Sequence, residues 1–135
     1  MKRKLTAWIL LLGLVFGLGA VYSLPTDTQM QKIADPIMDN ILTAMKNDDY
    51  TAYCRDFDET MKNAFTRDKF RQSNENIKLG LGDYLSRDFG MVMRQVPYTI
   101  VIWKGHFAKQ SGDVMIKLVL AQVNGTWKVS GLWFN

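Results

Sequence analysis

The hydrophobic period of this chain changes once, and that change fixes the class of fold it can reach. Between residues 27 and 85 the apolar residues recur every three or four positions, as one face of a helix requires. Between residues 91 and 134 they alternate, as a half-buried strand requires. The early run is Met30, Ile33, Ile37, Ile41 and Met45, widened by Ala34, Met38 and Leu42. It predicts a helix over 27–46. Pro36 lies inside that span, so the helix is either kinked there or starts late, with Asp35 as cap and Pro36 in the first turn. Asn47-Asp48-Asp49 ends it. Tyr50, Tyr53, Cys54, Phe57 and Met61 then fall on one face of a second, shorter helix. A third begins near Thr66, with Phe70, Ile77, Leu81, Tyr84 and Leu85 on its buried side.

The later half predicts strands over 98–107, 114–123 and 127–134, with a further strand over 91–96 ended by Pro97. Asn124-Gly125 is the strongest hairpin signal, since both residues accept positive φ. Gln110-Ser111-Gly112-Asp113 forms a looser turn. On the first long strand, Thr99, Val101, Trp103, Gly105 and Phe107 are expected to face the helices. The other parity ends in Lys104 and His106 and is expected to face out. Helices followed by an antiparallel meander give an α+β domain: N-terminal helices packed on a curved antiparallel sheet of three to four strands, two layers in a cone.

That domain occupies residues 26–135. Before it, Lys2-Arg3-Lys4 opens a stretch free of charge from Leu5 to Pro25. A basic start and an apolar run form the pattern of an export signal. The run is also about as long as the roughly 18–20 residues a spanning helix needs. Residues 1–25 are therefore either a signal peptide cut after Ser23 or Gly19, or an uncleaved anchor. The positive end stays inside, so both place the domain outside the cytoplasm. No cysteine stands near the segment to take a lipid. The expected location is secreted, periplasmic, or anchored on the outer face of the cytoplasmic membrane, with the membrane touched only by the leader.

The net charge of +4 owes three units to that leader. The remaining basic residues nearly balance the 13 acidic ones and form no stripe, which argues against nucleic acid. Cys54 is the one cysteine, so the core must hold the domain without an internal disulfide.

Three stretches carry a resemblance. They are Ala34-Asp35-Pro36-Ile37 with Asp49-Tyr50 after it, Phe57-Asp58-Glu59-Thr60-Met61-Lys62, and the ending Lys128-Val129-Ser130-Gly131-Leu132-Trp133-Phe134. They resemble a family of small exported bacterial and archaeal domains of unknown function. The order of elements is similar to the nuclear transport factor 2-like (cystatin-like) superfold. The resemblance implies fold and location but no mechanism, because that superfold hosts enzymes, binding modules and assembly domains alike.

No catalytic or metal constellation stands out, and no cofactor is implied. His106 is the single histidine and has no partner at a recognisable spacing. Cys54 lies on an apolar helical face, which makes it a core thiol rather than a nucleophile. Asp48, Asp49, Asp56, Asp58 and Glu59 lack the glycine and closing glutamate of a calcium loop and read as caps and a solvated face. Gly80-Leu81-Gly82 follows a helix rather than a strand, which excludes a nucleotide loop. Asn124-Gly125-Thr126 matches a glycosylation sequon, but the turn accounts for it. Tyr50, Tyr53, Trp103 and Trp133 are the candidate ligand-binding aromatics, lining a pocket or the sheet face. The function expected is an exported, non-catalytic binding or interaction domain at the cell envelope. Its partner would be another protein, a second copy joined through the sheet, or a small apolar ligand. Lys104, Lys117 and Lys128 form an outward ridge on that sheet. The alternative is a small pocket enzyme (a hydrolase, dehydratase or isomerase), which requires His106 or Asp113 to face a pocket. A spacer role for an anchored domain is the third option.

Overall fold

The computed structural model describes residues 24–135. The leader and its cleavage sites lie outside the described residues. Four helices precede four strands: α1 (Asp27–Lys46), α2 (Tyr50–Tyr53), α3 (Glu59–Ala64), α4 (Arg67–Leu81), then β1 (Tyr84–Gln95), β2 (Tyr98–Phe107), β3 (Val114–Val123) and β4 (Thr126–Phe134). The strands form one antiparallel sheet in the order β1-β2-β3-β4. The fold is α+β, as the change of period requires. None of the described helices is long and apolar enough to cross a membrane.

α1 starts early and runs straight through Pro36. Thr26 accepts a hydrogen bond from the Gln29 amide, and the Gln29 side chain accepts one from the Thr26 amide. This capping box fixes the helix start well before Asp35. The late start is thereby excluded, and Asp35 caps nothing. The buried stripe is the expected one, from Met30 and Ala34 to Leu42 and Met45, with Ile33 partly buried.

The single helix expected from Tyr50 to Met61 is two short ones. Asp49 caps α2 and Asp58 caps α3, each accepting a backbone N–H three residues on. Between them Phe57 pairs in parallel with Val129 of β4. The Asp58 amide donates to the Val129 carbonyl, and the Val129 amide to that of Asp56. Bonding to the sheet satisfies the backbone that a continuous helix would have used internally. Phe57 reaches the core by this route.

α4 begins at the Thr66 cap, as expected, but ends at Leu81. Gly82 turns the chain at φ +76°, where an added Cβ would collide with Lys109. Tyr84 and Leu85 therefore belong to β1. That strand is twice the length its alternation predicts because two bulges interrupt it. Leu85 and Gly90 are each left over where two residues of β1 oppose one of β2. Each extra residue shifts the parity, so no single period of two spans the strand. β2 and β3 occupy the predicted spans, and β4 begins one residue earlier. Asn124 and Gly125 both have positive φ, 52° and 77°, as the hairpin requires.

Thr99, Val101, Trp103, Gly105 and Phe107 all face inward and are buried. They meet α1 with Ile116, Leu118 and Leu120 of β3 and Val129 of β4 to make the core. Gly105 is needed at its position: an added Cβ there would run into Ile116 and Phe107.

Candidate functional site

The four sequence candidates are distributed over three places. Tyr53 is buried within a cluster of Phe57, Phe65 and Phe70, with ring centroids 4.6–5.7 Å away. Burial raises its phenol pKa well above the ordinary value, so it stays neutral. Tyr50 stands at the rim of that cluster. Its hydroxyl donates to the Phe65 carbonyl at 2.6 Å, and Arg67 lies over its ring. Cys54, beside them, is buried, and burial pushes its thiol pKa up, which suits a core thiol.

Trp103 is 1% exposed and sits on the inner face of the sheet. Its indole N–H donates to Asp35 Oδ1 at 3.1 Å. Asp35 thus serves as an acceptor across the layer instead of a helix cap. Arg87 of β1 lies over the Trp103 ring, 5.3 Å from its centroid. The Arg87 guanidinium contacts Asp35 Oδ1 at 3.2 Å, Asp39 Oδ1 at 2.7 Å and the Tyr84 hydroxyl at 3.1 Å. Its side chain is only 11% exposed. Burial opposes the charge, but the bonds to Asp39 and Tyr84 outweigh it and hold the pKa above its ordinary value. Sequence reasoning did not single out Arg87, Asp39 or Tyr84. The available signal was Gly105, a glycine inside a strand, directly opposite Arg87 in the register.

This ionic network backs a cleft of about 640 Å³ between α1, α4 and the start of β1. Leu42, Met45 and Phe107 supply apolar wall, and Asp39, Lys46 and Tyr84 supply polar groups. Asn74 of α4 also lines it. The Asn74 amide donates to the Met45 carbonyl at 2.8 Å and to Asp48, tying α4 to the end of α1. Lys78 completes that tie at 3.0 Å from Asp48 and holds the Asp48 carboxyl below its ordinary pKa. A shallower depression of about 560 Å³ lies between α4 and the end of β4, against Phe65, Leu81 and Phe134.

Trp133 is on the opposite side of the sheet and 45% exposed. Its ring covers Gly131, two residues back on the same face, where an added Cβ would strike it. Lys117, its cross-strand partner, places its ammonium 4.9 Å from the ring centroid. The register puts Met91 and Ile102 in the same row across the sheet, and Met93, Ile100 and Val119 in the next. Met91, Met93, Tyr98, Met115 and Trp133 are all exposed. With Ile100, Ile102 and Val119 they give the open sheet face an apolar centre, which Lys117 interrupts beside Trp133. Asp88, Lys104 and Lys128 stand around it.

His106 also belongs to this outer face, at its upper edge. Its Nε2 is 2.9 Å from Asp88, and its Nδ1 is 3.7 Å from Asp113. Neither His106 nor Asp113 lines the cleft or the depression. The acidic cluster resolves into separate tasks: Asp49 and Asp58 cap helices, Asp48 meets Lys78 and Asp56 meets Arg55. No group of His, Cys, Asp and Glu among the described residues is arranged to hold a metal ion.

A family described as "Protein of unknown function (DUF3887)" matches residues 39–130, most of the chain. The chain belongs to the DUF3887 family. The matched span holds the cleft wall from Asp39 to Phe107, and it stops before Trp133. No curated protein matches the chain. The DUF3887 assignment therefore brings no activity with it, and any reading of function has to come from the two surfaces just described.

Proposed function

We propose that this DUF3887 protein is an exported interaction domain of the cell envelope, built on a nuclear transport factor 2-like fold. Its working surface is the outer face of the sheet, and its partner is a second copy of the same chain. Export rests on the basic start and the uncharged run that follows it.

One observation carries the interaction reading. One row on the side turned away from the helices, Met93, Ile100 and Val119, is apolar, and the adjoining row of Met91, Ile102 and Trp133 is broken only by Lys117, whose ammonium lies over the tryptophan ring. A sheet face left to water ordinarily alternates polar residues outward. A contiguous exposed apolar patch rimmed by charge has the anatomy of an interface. Methionine and tryptophan are the residues that such surfaces favour. Self-association fits the charges at the rim. Asp88 and Lys128 occupy opposite corners of the face, one on β1 and one on β4. A two-fold axis in the sheet plane, along the other diagonal, sets each Asp88 against the Lys128 of the other copy. An isologous contact of this kind closes at two subunits.

The test is native mass spectrometry on the full-length gene product recovered from the envelope of the producing cells. The expected result is a dimer whose subunits begin at Leu24 or retain the leader. Material found only in the cytoplasm would contradict export, and a monomer at every concentration would contradict self-association.

A further inference from the structure

The cleft on the inner side of the sheet is independent of that interface. We propose that it binds an uncharged amphipathic molecule, with the Tyr84 hydroxyl donating a hydrogen bond to a carbonyl or ether oxygen of the ligand. Its volume, about 640 Å³, is within the range of small-molecule sites, roughly 300–1,000 Å³. Leu42, Met45 and Phe107 give an apolar body something to lie against.

The charges of the wall favour a neutral ligand. Asp39 is paired with Arg87, and Lys78 with Asp48. Lys46 and Asp83, also on the wall, are of opposite sign. A charged ligand would give up its hydration without meeting a net field of the other sign.

Tyr84 supplies the polar contact. Its oxygen accepts a hydrogen bond from Arg87 at 3.1 Å, and its own proton goes to no acceptor among the described residues. A phenol that accepts from a cation is polarised toward donating. The group is also held in place. Arg87 is fixed by Asp35 and Asp39, and the Tyr84 ring packs edge-on against Phe107 at 5.6 Å. An oxygen on the ligand therefore meets a donor that is already oriented, at little ordering cost.

The experiment is an NMR titration of the full chain with two probes of equal shape. Acetophenone carries the carbonyl oxygen, and α-methylstyrene replaces that oxygen with a methylene group. Both are expected to shift resonances of Leu42, Tyr84 and Phe107. Acetophenone should bind about tenfold more tightly, the scale of one net hydrogen bond. Tyr84→Phe keeps the ring and its contact with Phe107, and should bring the two affinities together. Equal affinities in the unaltered protein would overturn the donor role of Tyr84. Shifts confined to residues outside the cleft, or none from either probe, would overturn the site itself.

Discussion

Trp103 and Trp133 lie on opposite faces of the sheet, and the two are used in opposite ways. Trp103 lies beneath α1, with its N–H on Asp35 and Arg87 over its ring. Trp133 lies in the open, over Gly131 and under Lys117. Both occupy strands of similar composition. What separates them is parity: Trp103 pairs through the sheet with Ile116, which faces in, and Trp133 pairs with Lys117, which faces out. The helices cover one face only. A residue type that packs a core on one side thus becomes a contact surface on the other, and the role belongs to the row rather than to the residue.

Substitution on the inner face should have the largest effect. Trp103→Ala removes a fully buried ring and leaves Asp35 and Arg87 without their aromatic partner. A loss of about 3–5 kcal/mol is expected, read as a fall in the urea midpoint. A value near 1 kcal/mol would mean the inner face is not the structural one. Arg87→Met keeps the hydrophobic cover over Trp103 but strands the two carboxylates. Asp39 is largely in water and loses little, so the cost should be lower, about 2 kcal/mol. The same urea titration measures it. On the outer face, Trp133→Ala should cost about 1 kcal/mol or less, because it removes an exposed ring and one cation–π contact. A cost as large as that of Trp103→Ala would erase the contrast.

The smallest effect is at the tie between α1 and α4. The folded pKa of Asp48 lies below its ordinary value of 3.8 because Lys78 is hydrogen-bonded to it. The stability this provides is complete above the unfolded pKa and disappears as pH falls through the folded one. Asp48→Asn should therefore be less stable than the natural protein near pH 6, with the gap narrowing below about pH 4. A gap unchanged down to pH 2 would assign the effect to the Asn74 bond alone.

How much of this was legible in the sequence differs between the faces. The outer row is set by alternation, so Lys104 and His106 were expected outside and Trp103 inside, and they are there. The helix of α1 and the Asn124-Gly125 turn were equally plain, since each rests on local chemistry. The site behind the cleft was not legible. Asp35, Asp39, Tyr84, Arg87 and Trp103 come from three elements, and the bulge at Leu85 sets the parity that brings Arg87 inward. A bulge leaves no period of its own. The division of the second helix was hidden for a related reason: Phe57 and Met61 keep helical spacing although a bridge to β4 separates them. The acidic cluster reads as caps and a solvated face, and which of these roles falls to Asp58 depends on the break at Phe57 that the bridge to Val129 fixes.

The most direct test of the account is sedimentation equilibrium of the natural chain beside Trp133→Lys, with far-UV circular dichroism of each. The expected result is a dimer that becomes a monomer on substitution, with association weakened by at least about a hundredfold and with unchanged helix and strand content. A natural chain that is monomeric throughout, or a dimer that survives Trp133→Lys intact, would contradict the assignment of the outer face as the surface through which this protein works.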